Sequence, residues 1–410
     1  MNPSSVFYIL IAIIVINFLV DLVLDSLNAK QYGATLPDEL QDVYPDDEYK
    51  KSMEYKKANH NFGLVSSLFS LVLTLAFFFL GGFHKVNDFA LTISDNPIIV
   101  ALIFFGIIMI GSDIITTPFG YYKNFVIEEK FGFNKMTVGT FIGDKIKGWL
   151  MMAIVGGGIL ALIIWFYGVA GANFWLYAWA LVAVFSLLMN MFYAKLIVPL
   201  FNKQTPLEAG SLRDKIEAYG NKVGFKLDKI FVIDGSKRST KANAYFSGFG
   251  SEKRVTLFDT LINDLDEDEI VAVFAHEVGH YKRKHIIYNL VMSILLTGFT
   301  LWLLSLFVAS PELSSALGVD KPTFHIGLIA FGILYTPISE ITGLFMNLMS
   351  RKFEYEADDY AKETFGPEAL VQSLKKLSKN SLSNLTPHPA YEFYHYSHPS
   401  LTKRIRNLRS

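Results

Sequence analysis

Seven stretches of this 410-residue chain are long and apolar enough to cross a lipid bilayer. Inside hydrocarbon no water satisfies a backbone N–H or C=O, so each stretch has to be helical. The segments run at about 7–24, 62–83, 97–119, 149–167, 173–192, 286–310 and 324–349. Charged residues make up only 18% of the chain, against about 25% in soluble domains. The fifth segment has a blurred end, because Tyr193-Ala194-Lys195-Leu196 continues into further apolar residues and leaves room for a re-entrant piece near 196–200. The first is expected to be a retained span. No basic residue precedes it, and Asp21-Leu22-Val23-Leu24-Asp25 does not resemble a cleavage site.

Seven crossings put the 26–61 loop, the 120–148 loop, the 193–285 segment and the C-terminal tail on one side. The first two carry Lys30, Lys50, Lys51, Lys56 and Lys57, then Lys123, Lys130, Lys135, Lys145 and Lys147. The opposite loops offer only Lys85 and Lys321, so the positive-inside rule makes the lysine-rich side cytoplasmic. A net charge of −1 and the lack of a basic, aromatic-interleaved patch speak against nucleic acid as a partner. Membrane lipid is the expected surrounding.

His276-Glu277-Val278-Gly279-His280 carries the chemistry. On a helix, the two imidazoles lie on one face, where neutral nitrogens hold Zn²⁺ and the intervening carboxylate takes a proton from activated water. Such a site needs a third protein ligand. With no cysteine in the chain, thiolate ligation, disulfides and cysteine nucleophiles are excluded. The other histidines are His60, His84, His285, His325, His388, His395 and His398. The carboxylates of interest are Glu354 and Asp358, one helical turn apart. In glutamate-type zincins the first of such a pair ligates the metal, and the second accepts the N–H of a ligating histidine. The flanks 270–275 and 281–285 suggest that the motif sits in one continuous buried helix.

The fold class expected is mostly α: a multi-pass membrane protein whose seven helices enclose a chamber, with a cytoplasm-facing zincin-like α+β part. The divisions fall at 1–195 (five spans), 196–285 (the zinc-binding part), 286–349 (two spans) and 350–410 (the third ligand). Within the second of these, 212–223 reads as an amphipathic helix, and 229–233 and 254–258 as short strands. Residues 242–246, bounded by Gly248 and Gly250, read as an edge strand or an ordinary hairpin arm. The run 38–57 reads as a solvated, partly helical loop. Gly156-Gly157-Gly158 suggests helix packing or a kink.

Beyond the zinc motif, the chain from about 36 to 408 resembles the type I CAAX prenyl proteases, membrane zinc metalloproteases. The matching stretches are Phe125 to Lys135 (FVIEEKFGFNK), Pro199-Leu200-Phe201-Asn202, Asp234 to Ser239 (DGSKRS), Asn243-Ala244-Tyr245, His276 to His280, Arg351 to Asp358 and His395-Tyr396-Ser397-His398-Pro399. The resemblance implies His276, His280 and Glu354 as ligands of one zinc ion, Glu277 as catalytic base and Asp358 as the carboxylate behind a ligand. It implies His398 as a donor to the oxyanion, worth roughly 3–4 kcal/mol in a water-shielded site. Asn243 and Tyr245 would line the substrate cleft. It also implies a water-filled chamber between the spans and a peptide or protein substrate bearing an isoprenylated cysteine near its C terminus. Two other readings are open: quality control of membrane proteins without a prenyl requirement, and a transporter or receptor with incidental zinc. The resemblance places the chain in the inner membrane of a bacterium or the endoplasmic reticulum of a eukaryote.

Overall fold

The computed structural model describes residues 2–225, 229–248 and 253–410, which are mostly helical. Pro3 starts the first helix, Pro3–Ala29, where its missing N–H is not needed, and Asn2 Oδ1 accepts from the Ser5 amide at 2.7 Å. The second, Asp46–Phe79, starts far upstream of its apolar stretch and ends where Gly81 takes a left-handed conformation. Phe83 therefore belongs to a separate helix, Gly82–Ile93, and not to the span. Helix Pro97–Tyr122 widens into a π-helical turn, Lys123–Glu128.

Among the described residues, six helices are long and apolar enough to cross a membrane, where the sequence offers seven segments. The difference is one of continuity. Segments 149–167 and 173–192 fall in a single run, Val138–Phe201, interrupted by a turn at Gly171 rather than by a loop. Gly171 has φ of 52°, which an L side chain rarely adopts, and the helices on either side pack against each other. Met152–Gly156 forms a π-helical turn ahead of Gly157, so the glycine triplet marks a change of helical winding. The run ends in a break at Ile197 and one further turn, Val198–Phe201.

The soluble part is built on a four-stranded sheet, β1 Gln204–Pro206, β2 Ile230–Ile233, β3 Ala244–Ser247 and β4 Arg254–Phe258, in the order β1-β2-β4-β3. β2 and β4 are parallel with Ile230 opposite Val255; the two outer pairs are antiparallel. β3 is thus an edge strand, closed by Gly248 at φ of 85°. Gly250 lies outside the described residues. The amphipathic helix forms as Ser211–Lys222.

Val255 and Leu257 pack with Ile216, Phe274, Val278, Leu370 and Ile405 into one apolar core, where each fully buried aliphatic stabilises by about 1.5–3 kcal/mol. The run 38–57 corrects expectation here. Leu40, Val43, Tyr44 and Tyr55 are buried in that same core, so the first loop docks onto the soluble part rather than standing in solvent.

Candidate active site

Asp266 sets the start of the motif helix, Glu267–Lys282, through a capping box with Glu269, and Lys376 bridges the two carboxylates at 2.9 Å each. Ile270, Val271, Phe274, Ala275 and Val278 turn into the core, which leaves His276, Glu277 and His280 along a cavity. The helix is not continuous to His285, as the flanks suggest. It stops before Lys284, at φ of 62°, and His285 starts the next helix, His285–Phe307.

The partner element is a single helix, Phe324–Thr364, which carries the last apolar segment without a break into the acidic motif. Gly279 allows the two helices to approach. A Cβ there would sit 3.0 Å from the Ala357 Cα and carbonyl and 3.1 Å from Tyr360 Cβ. Gly279→Val is expected to push the helices apart, costing about 3 kcal/mol, the upper end for overpacking, and to release metal in parallel. Thermal unfolding and metal content measured on the same preparation check this; a change in neither would show that the contact tolerates bulk.

The crossing brings three side chains together. His276 Nε2 and His280 Nε2 are 3.1 Å apart, with Glu354 Oε2 3.4 Å from the first and Oε1 3.3 Å from the second. One ligand atom from each residue falls within 4.8 Å of the others. Donors about 2.0–2.1 Å from a tetrahedral centre stand about 3.3–3.4 Å apart, so the spacing fits a metal cation. Glu354 Oε2 is buried and makes no hydrogen bond, leaving a lone pair directed at the shared space. Burial works against charge on His276, but the carboxylates beside it, Asp358 accepting from Nδ1 and Glu354 facing Nε2, outweigh it and push its pKa up to about 9. The surroundings therefore stabilise positive charge at this point.

Asp358, fully buried, has Oδ1 2.8 Å from His276 Nδ1. On the other imidazole, His280 Nδ1 lies 3.0 Å from His285 Nδ1, and His285 Nε2 lies 2.9 Å from Glu356 Oε2. Each ring is thus held from behind, with Nε2 turned to the common space. Burial pushes the Glu277 carboxyl above the usual range, and it accepts no hydrogen bond from any described residue. His398 Nε2 lies 3.2 Å from Glu354 Oε1, its Nδ1 is 2.9 Å from Ser397 Oγ, and its side chain is largely exposed.

Asn243 lines the same cavity of about 490 Å³, together with Ala242 and Ala244. Tyr245 does not line it. Strand alternation turns its ring to the opposite face of the sheet, against Ala194, Val198 and Phe258, away from the position expected from sequence.

Sequence reasoning misses Arg404. On the C-terminal helix, Leu401–Arg409, its Nε and Nη2 donate to both Asp358 oxygens at 2.8 and 2.6 Å, and Nη1 lies 3.5 Å from Glu354 Oε2. A signal exists: Leu401, Ile405 and Leu408 mark an apolar stripe, and Arg404 lies on it.

The fold and these side chains define a metallopeptidase embedded in a membrane. Residues 26–203 match the family described as CAAX prenyl protease N-terminal, five membrane helices, and 206–410 match peptidase family M48. The chain is 38% identical to CAAX prenyl protease 1 homolog of Arabidopsis thaliana, over 91% of this chain and 90% of the relative. It is 36% identical to CAAX prenyl protease 1 of Saccharomyces cerevisiae (91% and 88% covered) and 30% identical to the Homo sapiens homolog (92% and 89% covered). The crystal structure of S. mikatae Ste24p superposes with a TM-score of 0.94 at 35% identity, covering 99% of both chains. The chain belongs to the CAAX prenyl protease family of M48 metallopeptidases. It is an integral membrane enzyme that uses a metal ion and acts on peptide or protein substrates.

Proposed function

We propose that this chain is a zinc endopeptidase that cuts near the C terminus of isoprenylated proteins, with His276, His280 and Glu354 as metal ligands. The observation that carries the reading is the 3.1–3.4 Å spacing of two imidazole nitrogens and the two oxygens of Glu354. Two nitrogens and a carboxylate, with no thiolate, make the catalytic type of zinc set, which leaves a position open for water or substrate. Zinc held there lowers the pKa of water toward 7 and polarises a carbonyl.

The chain's own groups supply the rest. Glu277 accepts the proton of the attacking water and passes it to the leaving amine. Asp358 and Arg404 hold His276, as Glu356 and His285 hold His280, fixing the tautomers that leave each Nε2 lone pair free. His398 turns its Nε2–H from Glu354 to the oxyanion of the tetrahedral intermediate. The outer edge of β3 offers backbone groups to an extended substrate strand, whose side chains meet Asn243.

For the prenyl group, support comes from the names of the relatives and from a mainly apolar cavity of about 560 Å³ lined by Phe62, Val65, Pro118 and Phe119. Counting the two halves of Val138–Phe201 separately gives seven crossings, which with the lysine-rich loops supports a site on the cytoplasmic side. A wet interior between the spans accounts for ionisable groups within them, such as Glu340, whose Oε2 accepts from Tyr394 at 2.6 Å.

The test is product analysis of a farnesylated peptide beside its unprenylated twin, with and without phenanthroline. The farnesylated peptide should be cut faster, and zinc should restore what the chelator removes. Equal rates for the pair would reject prenyl reading in favour of a broader membrane protease.

A further inference from the structure

We propose that a basic cavity where the run Val138–Phe201 meets the sheet binds the phosphate of an anionic lipid headgroup. The cavity, of about 680 Å³, is lined by Lys147, Lys195, Lys203, Lys237 and Arg254. Asp234 is the lining carboxylate among the described residues, and its Oδ1 is engaged by Asn202 Nδ2 at 2.9 Å and the Lys203 amide at 2.8 Å. Five cations therefore face one occupied anion.

Arg254 forms the fixed part. Its guanidinium lies 4.5 Å over the Phe231 ring, and Nη1 donates to Ala194 O at 3.3 Å and Gln204 Oε1 at 3.2 Å. Lys147 reaches the Leu200 carbonyl at 2.8 Å. The Lys195 and Lys203 side chains are exposed and have no partner among the described residues. Clustered cations repel one another, and a phosphodiester between them removes that repulsion.

The depth points to a lipid. Leu196 is 60% and Leu200 49% exposed beside the cavity, at the end of a membrane-crossing run, where their apolar surface suits acyl chains. Basic pockets at the cytoplasmic ends of spans take anionic headgroups. The catalytic cavity lies on the other side of the sheet. It is reached from Ala244, whereas Phe231 and Arg254 turn away from the Val255 and Leu257 face, and the two cavities share no residue. A peptide in the cleft thus does not occupy the basic cavity.

The experiment is thermal stabilisation of the full chain in neutral detergent, titrated separately with phosphatidylglycerol, phosphatidylcholine and inorganic phosphate. Two variants are compared: Lys195→Gln with Lys203→Gln, and Lys50→Gln with Lys51→Gln on the helix Asp46–Phe79, outside the cavity lining. Phosphatidylglycerol should stabilise the parent and the Lys50/Lys51 variant alike. Its half-saturating concentration should rise about fivefold per lysine removed from the cavity, roughly 25-fold for the pair. Equal losses in both variants would reduce the effect to diffuse surface charge and overturn the site. Stabilisation by inorganic phosphate as strong as by phosphatidylglycerol would reassign the cavity to a free anion. Absence of stabilisation of the parent by phosphatidylglycerol would end the proposal.

Discussion

Glu277→Gln is expected to keep its metal and its melting temperature while losing about 10²–10⁴-fold in peptide cleavage, equivalent to about 3–5 kcal/mol of barrier. The substitution preserves shape and removes only the ability to accept a proton. Glu277 makes no hydrogen bond to a described residue, so the substitution breaks none in the fold. It lines the cavity beside His276 and His280, the position a base needs. Burial, the largest influence on its carboxyl, raises its affinity for a proton, which suits a group that first accepts one and then gives it up. Metal analysis and single-turnover cleavage on one preparation decide the matter. Cleavage at the parent rate with metal bound would transfer the role of base elsewhere, whereas loss of metal would mean that Glu277 contributes to holding it.

How much of this is legible in the sequence depends on how far apart the interacting residues stand. Apolar length reports spans, because a bilayer imposes it segment by segment. It does not report where a helix ends. The charges at Arg351 and Lys352 mark the edge of an apolar stretch, yet the helix continues to Thr364, since helical backbone is stable on both sides of a membrane boundary. His276, Glu277 and His280 can be read because their relation is local, set by the helical period. The pairing of Glu354 and Asp358 is local in the same way.

What holds them is not local. His285 and Glu356 meet only because two helices cross, and Arg404 reaches Asp358 from the C-terminal helix. Leu40, Val43 and Tyr44 already show helical spacing in the sequence, but the acidic and basic residues around them hide it. For Tyr245 the difficulty is the strand boundary. β3 begins at Ala244, so Asn243 lies outside the alternation and its position says nothing about the face that Tyr245 takes.

Glu354→Ala should purify with far less than one metal equivalent. Structural zinc sites with four protein ligands bind with about 10–16 kcal/mol, about 3 kcal/mol or more for each ligand, so removing one weakens affinity at least about a hundredfold. Here a second effect acts in the same direction. Arg404 Nη1 lies 3.5 Å from Glu354 Oε2, and with that carboxylate gone a buried guanidinium beside the two imidazoles loses one of the carboxylates that balance it. A less compensated cation beside the site opposes a metal ion directly. Asp358→Asn is the informative contrast. It keeps all three proposed ligands and weakens only the support behind His276, for which a loss of about 10–100-fold is expected. Its guanidinium partner is also left with less compensation, so some loss of stability should accompany the weaker binding. Equilibrium dialysis against a zinc buffer series ranks the three proteins. The order parent, Asp358→Asn, Glu354→Ala supports Glu354 as a ligand. Full metal retention in Glu354→Ala would remove it from the set and leave His398, 3.2 Å from the same carboxylate, as the candidate for the third ligand.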